Sequence, residues 1–492
     1  MTETYGLYID GKWEVPAGAT FFSTHNPATG EELGKFVASN RADVERAIVS
    51  AHRAFKAWRD TPAPKRGQIL LRAAEIYRKN KEELGRTVTR EMGKILPEGR
   101  GDVQEAIDMI EYASGEGRRL LGETVPSELR NKFCLTLRQP KGVVAAITPW
   151  NFPTAIPNWK ISAALISGNT VVFKPASGTS LCGVKVVQAY EEAGLPGGVL
   201  NLVTGPGSVA GDVLVSDPRI KAVSFTGGTD TGRQVYTAAA QHLKYVHLEM
   251  GGKNPQIVMD DANLDLALDG LLFGAFGSSG QRCTATSRLL LHQKIYDEFL
   301  GRLLDRLKRF RVGNPLEEGV DMGPVASADQ ERKILSYIEI GQKEGARLLF
   351  GGQKLRGPSY DRGYFIAPTV FEARHGMRIT KEEIFGPVLS VIKVSDFDEA
   401  VRIANDVDYG LSSSIYTRNV NWAFQAMDRL EAGITYINAP TIGAEVQLPF
   451  GGIKNTGNGG REAGTTAIDE FTEIKTVFVD FSDRLQKAQI DT

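Results

Sequence analysis

Cys283 stands in SSGQRCTAT (278–286), a run of small, polar and glycine residues that reads as a turn or a loop at a helix end. The chain has two other cysteines, Cys134 and Cys182, and neither has such a setting. A thiol placed this way serves as a nucleophile, a metal ligand, half of a disulfide or a small buried residue. Three cysteines in 492 residues make no disulfide framework, no Cys-x-x-Cys or His-x-x-x-His pair is present, and the six histidines are scattered. The disulfide and metal readings therefore fall away. A free thiol remains, reactive or buried.

A thiol near its reference pKa of ~8.5 is only a few per cent thiolate at neutral pH, so a nucleophile needs a base or a positive field beside it. HLEMGGKNP (247–255) offers Glu249 where a strand gives way to a double glycine, a position that projects into a site at the carboxyl edge of a parallel sheet. A cysteine protease would want a histidine there. His247 alternates with Glu249 on one strand face, and burial is its plainer reading. TPWNFP (148–153) holds Asn151 among proline and aromatic neighbours, which keep an amide still, as an oxyanion donor must be.

Glycines where a strand turns into a helix let the backbone approach a pyrophosphate. VTGPGSVAGD carries Gly205, Gly207 and Gly211, one residue away from the G-x-G-x-x-G spacing, and SFTGGTDTGR carries Gly227, Gly228 and Gly232. Each turn alone is as well explained by structure; two in succession favour a nucleotide. No Gly-Lys-Ser/Thr follows, so the pattern is not a P-loop. On residue types alone, a thiol, a carboxylate base, an amide donor and a nucleotide fold suggest oxidation of a carbonyl.

The elements that must position these groups form two α/β runs. From 142 to 259, short apolar strands (VVAAIT, TVVFK, VLNLV, KAVSFT, YVHLEM) alternate with helical stretches, the rhythm of a helix-covered parallel sheet. A second run follows Cys283, with RLLLH, ARLLFGG, VLSVIKV and ITYIN. Two such lobes with the cysteine between them build a cleft. Ahead of them, YIDGKW reads as a hairpin at Asp10-Gly11, residues 43–114 as mostly helical, and Leu120 to Pro140 as strand-like.

Length predicts two or three domains, and 42% apolar with 24% charged residues is ordinary for a globular protein. A net charge of −1 and pI near 6.6 give no basis for a nucleic-acid or anionic-membrane partner. The basic run RLLDRLKRFR (302–311) keeps Phe299, Leu303, Leu307 and Phe310 at helical spacing, so it reads as a packed amphipathic helix. No run approaches the ~18 apolar residues that span a bilayer, and MTETYGLYIDGKWEV has no export-signal pattern. A cytoplasmic location is expected.

Eight motifs, in order, resemble the aldehyde dehydrogenase superfamily over nearly the whole chain: TPWNFP, VVFKPAS, EEAGLPGGVLNLVTGPG, FTGGTDTG, LEMGGKNP, GQRC, EEIFGPV and PFGGIKNTG. The resemblance implies a catalytic set of Cys283 as nucleophile, Glu249 as general base, Asn151 as oxyanion amide, and Lys174. It places Lys174 and Glu383 on the two riboses of a nicotinamide cofactor, with Phe385 near the nicotinamide ribose. Trp150, Gly207 and Gly228 fall at the adenine and pyrophosphate. Thr148, Pro149, Ala176, Ser177, Phe225, Gly227 and Gly251 complete the implied cofactor set. Asn438 is implied to lie close to the catalytic centre beside the aldehyde.

The fold class implied is α/β. It comprises a Rossmann-like cofactor domain (1–122 and 141–251), an α/β catalytic domain (252–453), and a small β extension with the C-terminal tail (123–140 and 454–492) that pairs with a neighbouring subunit. Homodimers or homotetramers are the expected state. The implied reaction runs through a thiohemiacetal and a thioester on Cys283, the latter hydrolysed by water that Glu249 activates.

Two departures carry information. NAD-preferring members commonly have glutamate after VVFKPA; Ser177 here removes its repulsion of a 2′-phosphate beside Lys174, which points to NADP, alone or together with NAD. Gly228 replaces a common serine and reads as another close approach to the pyrophosphate. Arg282, next to the nucleophile, suits a substrate carboxylate or a structural ion pair, and Trp159 and Lys160 are candidates to line the aldehyde's way in. VTREMGK, AIPNWK, GQRCTATSR and INAPTIGAEVQLPFGG look most like the members that oxidise α-ketoglutarate semialdehyde (2,5-dioxopentanoate). Broad-specificity and pyrroline-5-carboxylate-type members share every catalytic residue. CoA-acylating members generally lack the base, so Glu249 argues for hydrolysis.

Overall fold

The computed structural model describes residues 2–490. One seven-stranded sheet runs, in spatial order, Tyr245–Glu249, Ile220–Thr226, Val143–Ile147, Thr170–Lys174, Leu200–Leu202, Leu7–Ile9 and Lys12–Glu14. Its first five strands are parallel, and the last two form the Asp10-Gly11 hairpin, added antiparallel at the edge. Val144 and Ala146 join one core cluster while Val143, Ala145 and Ile147 join another. A strand whose side chains alternate between two buried faces must be apolar throughout, which is why VVAAI shows no polar alternation.

The strand order reverses between Val143–Ile147 and Ile220–Thr226, with later strands on one side and the intervening ones on the other. Such a reversal opens a crevice at the carboxyl ends of parallel strands. Register brings those ends into one row: Ile147 pairs with Lys174 and with Phe225, and Thr226 pairs with Glu249. The turns that follow, 148–151, 175–177, 227–228 and 250–252, therefore emerge along a single edge.

The second seven-stranded sheet runs Arg347–Phe350, Thr369–Glu372, Val388–Val394, Thr286–His292, Asn254–Val258, Ser412–Tyr416 and Ile434–Ile437, with only the first strand antiparallel. Residues 250–253 carry the chain from one sheet to the other, and Asn254 Nδ2 donates to the carbonyls of Cys283 (2.8 Å) and Ala285 (2.9 Å). The crossover is thus tied directly to the loop that holds the thiol.

A third, antiparallel ribbon joins Thr124–Val125, Lys132–Pro140 and Thr472–Asp480, the last two paired along their whole length. The strand-like stretch 120–140 is broken between them, where Pro126 lacks an amide hydrogen and Asn131 turns left-handed at φ 57°. The basic run forms helix Tyr296–Leu307, with Phe299, Leu303 and Leu307 buried; Phe310 lies past its end yet packs on the same core. Among the described residues no helix is long and apolar enough to cross a membrane.

Candidate active site

A cavity of about 180 Å³ opens on Cys283. Pro149, Trp150 and Asn151 line it from one sheet edge and Gly227, Gly228 and Gly251 from the neighbouring turns, while Glu383 and Phe385 close it from the second lobe. Trp150 and Phe385 meet edge to face, 5.4 Å between centroids. Helix Ala328–Lys343 adds Gln330 and Lys333, two residues the sequence reading missed because nothing in QERK marks a site.

The loop before Cys283 is strained. Ser278 and Ser279 are buried and left-handed, at φ 50° and 57°, a conformation that costs a non-glycine residue about 1 kcal/mol or more. Glu98, also unforeseen, holds the loop in place: its carboxylate accepts from the Ser278 amide (2.9 and 3.0 Å) and from Arg282 Nη2 (2.8 Å). Ser279 Oγ donates to the Gly323 carbonyl at 2.9 Å. Glu98→Ala would leave the Ser278 amide without its acceptor and the Arg282 charge without its carboxylate, with the Ser278 hydroxyl its remaining hydrogen-bond partner, so we expect a loss of about 3 kcal/mol in stability and a fall of roughly 10–100-fold in kcat/KM as the nucleophile loses its position. Urea unfolding and initial rates check both; unchanged kinetics would mean the loop keeps its shape without Glu98.

Burial, reinforced by the carboxylates of Glu249 and Glu383, pushes the Cys283 thiol up to about 12, against the opposing pull of the Thr284 and Cys283 amides. The resting group is the thiol, and those two N–H groups favour the thiolate once it forms. Asn151 is buried with Nδ2 donating to the Gln281 carbonyl at 3.1 Å. Its amide is thereby held beside the thiol loop.

The crevice suits a dinucleotide. Helix Thr229–Ala240 starts at Gly228 with no side chain capping it, so its first N–H groups are available to an anion. Behind it, a Cβ on Gly227 would come within 2.5 Å of the Phe225 ring, which keeps that turn tight. A Cβ on Gly251 would fall 2.5 Å from Glu383 Oε2, and the Gly252 amide donates to Glu383 Oε1 at 3.0 Å, so the double glycine is shaped around this carboxylate.

Further along the edge, Thr148 N–H donates to the Lys174 carbonyl (3.2 Å), and Lys174 Nζ donates to the Pro175 carbonyl (3.2 Å). Burial pushes the Lys174 ammonium down to about 8. Ala176 precedes the short turn Ser177–Thr179, and Ser177 Oγ donates to the Gly205 carbonyl at 2.9 Å, tying this turn to the one that leads into Gly207.

The lining of this cavity does not include Glu249, Thr148, Lys174, Ala176, Ser177, Gly207 or Phe225, and four further candidates are engaged elsewhere. Arg282 points to a separate cavity of about 760 Å³ that includes Glu98 and Phe152, and its charge is already matched by Glu98. The ion-pair alternative is the one the structure contains. Asn438 is exposed, and its amide both donates to the Thr417 carbonyl and accepts from the Thr417 N–H, each at 3.0 Å. Trp159 and Lys160 are too deeply buried to line an open entrance: Trp159 stacks edge to face on Phe450, and Lys160 pairs with Glu462 while donating to Ser224 Oγ.

Glu249 is buried outside this cavity, in a niche between its own strand and Gly457 of the C-terminal tail. Neither carboxylate oxygen receives a hydrogen bond, and burial raises its pKa against the pull of nearby His247. The C-terminal tail closes this pocket. Thr456 accepts from the Met250 amide (2.7 Å), Asn458 Oδ1 accepts from the Leu248 amide (3.0 Å), and Glu462 meets Lys160.

The model of the aldehyde dehydrogenase family matches residues 13–477. An alpha-ketoglutaric semialdehyde dehydrogenase of Bacillus subtilis is 47% identical, over 97% of this chain and 98% of its own. A 2,5-dioxopentanoate dehydrogenase of Saccharolobus solfataricus is 43% identical, over 95% and 98%. Among solved structures, betaine aldehyde dehydrogenase of Staphylococcus aureus in complex with NAD+ superposes with a TM-score of 0.95 at 35% identity, over 98% and 96%. A 3,6-anhydro-L-galactose dehydrogenase in complex with NADP does so at 0.94 and 36%, over 97% and 100%. With the thiol, the amide and the glycine crevice converging on one cavity, the chain belongs to the aldehyde dehydrogenase family and is an NAD(P)-dependent aldehyde dehydrogenase.

Proposed function

We propose that this chain oxidises α-ketoglutarate semialdehyde to 2-oxoglutarate, with NADP preferred. The observation that carries the chemistry is the shared cavity of Cys283, Asn151 and the Gly227–Gly228 turn. The substrate rests on relatives named for that semialdehyde at 42–47% identity.

Cys283 gives its thiol proton to water in the cavity, the thiolate Sγ attacks the aldehyde carbon as the C=O electron pair moves to oxygen, and the resulting oxyanion is held by Asn151 Nδ2 and the Cys283 N–H. A nicotinamide cofactor supplies the hydride acceptor when bound. Gly228 and its helix N-terminus would hold the pyrophosphate, Glu383 and Lys174 the riboses, and Trp150 and Phe385 the walls of the ring site, with Lys333 a further cation on that side. Collapse of the tetrahedral adduct leaves a thioester on Cys283. Glu249 turns from its pocket toward it, takes a proton from water, and the C–S bond breaks as the acid forms.

Ser177 is the basis of the NADP reading: it is a neutral hydroxyl near Lys174, where a carboxylate would repel a 2′-phosphate. We infer domain limits of 1–122 with 141–251, 252–453, and 123–140 with 454–492, in keeping with the two seven-stranded sheets and the ribbon. Phe133 and Leu137 are exposed on one face of the ribbon and Ile474 and Phe478 on the other, and exposed apolar side chains on both faces favour burial against another subunit, in a homodimer or homotetramer.

Initial rates of 2,5-dioxopentanoate against a neutral aldehyde of similar length, each with NADP and with NAD, test the proposal. We expect kcat/KM at least about tenfold higher for the keto acid and for NADP. Equal rates on the two aldehydes would make this a broad-specificity enzyme, and equal rates with both cofactors would remove the role given to Ser177.

A further inference from the structure

His247 occupies the space between Glu249 and the protein surface. Its Nε2 lies 3.4 Å from Glu249 Oε1 and 3.8 Å from Glu462 Oε1, while Nδ1 lies 3.2 Å from Glu470 Oε2. The side chains of His247, Glu249 and Glu462 are 4%, 4% and 8% exposed, whereas that of Glu470 is 24% exposed. Glu470 is therefore the carboxylate of this group that meets water.

The surroundings are shaped to the ring. A Cβ on Gly460 would fall 2.1 Å from His247 Nδ1 and 2.6 Å from Glu470 Oε1, so the tail passes here as bare backbone. The charged groups around it come from four elements. Glu249 lies on its own strand, Lys160 on helix Ala155–Ile166 and paired with Glu462 of the tail, and Glu470 on the short helix Thr466–Phe471. Lys141, in the link between strands Lys132–Pro140 and Val143–Ile147, donates to the Glu470 carbonyl at 2.7 Å.

We propose that His247 is a positioning residue for Glu249: a buried imidazolium lying within ion-pair distance of both Glu249 and Glu470, which holds the general base ionised and links its protonation to a carboxylate that touches solvent. This rests on the reading of Glu249 as the base. Burial works against the cation, but the carboxylates of Glu249, Glu470 and Glu462 outweigh it and raise the pKa of His247. A cation within 4–6 Å lowers a carboxylate pKa by about 1–3 units. It thereby opposes the burial that raises Glu249. Removing the cation must move the ionisation of Glu249 to higher pH.

The test is decay of the acyl-enzyme, followed by rapid quench from pH 5.5 to 9.5, for the wild type, His247→Gln and Glu470→Gln. The amide at 247 keeps a donor and loses the charge; the change at 470 lies where the side chain reaches water and preserves the fold if the first does not. We expect the rising limb of deacylation to move up by about one unit or more in His247→Gln and by less in Glu470→Gln, with the burst of reduced cofactor retained. Limbs that stay in place in both variants would overturn the proposal, as would a fall in burst and decay together without a pH shift. A deacylation rate unchanged by Glu249→Gln would instead remove the base itself, a result distinguishable from the other two.

Discussion

Cys283→Ala is expected to abolish aldehyde oxidation, lowering kcat by at least about 10⁴-fold, as removal of a covalent nucleophile does in enzymes that work as a unit. The reasoning is chemical before it is structural. Asn151 and the Cys283 amide stabilise an oxyanion only when something has attacked the carbonyl, and no other thiol is near. Cys134 lies in the antiparallel ribbon and Cys182 is buried in helix Ser180–Glu192. Alanine removes one atom from a partly exposed site, so a thermal midpoint within a few degrees of the wild type should accompany the loss. Cofactor binding, measured by protein fluorescence, should persist because the crevice at Gly227–Gly228 is untouched. Normal turnover in this variant would end the assignment of Cys283.

Glu249→Gln should separate the two halves of the reaction. Amide and carboxylate have the same shape, so the pocket is kept while the proton acceptor is lost. Hydride transfer does not need that acceptor; hydrolysis of the thioester does. We expect a stoichiometric burst of reduced cofactor followed by steady turnover about 10²–10⁴-fold slower, the usual contribution of a general base. Mass spectrometry of the quenched variant should find the acyl group on Cys283. A burst absent in both proteins, with unchanged steady rates, would mean that water is activated by another group.

Much of this was legible because the chemistry sits at places where the chain has few options. The turns after Ile147, Thr226 and Glu249 are marked by proline and glycine, and a parallel sheet brings its carboxyl ends together whatever covers it. Those signals are local, and the register aligns them. Glu98 had no such mark. It reaches the thiol loop across 180 residues of sequence, from the first turn of a helix whose periodicity concerns only its own core face.

Arg282 shows the opposite limit. Its neighbour is the nucleophile, which suggested a substrate contact, but a side chain's direction is set by the backbone strain at Ser278 and Ser279 and by the ion pair with Glu98. Neither is visible in GQRC. Asn438 likewise sits at a left-handed position, φ 55°, where its amide satisfies the Thr417 backbone instead of facing the thiol.

The tail that closes the Glu249 pocket also fixes when, in the life of the molecule, that pocket comes into being. Asn458 holds the Leu248 amide from 210 residues further along the chain. At ~5–20 residues per second, a ribosome needs about 10 to 40 s to make the intervening stretch. The first lobe can fold during that interval, thiol and oxyanion amide included as they emerge, while the base behind them still lacks its wall. On the proposed role of Glu249, competence to release product is thus assembled late in translation.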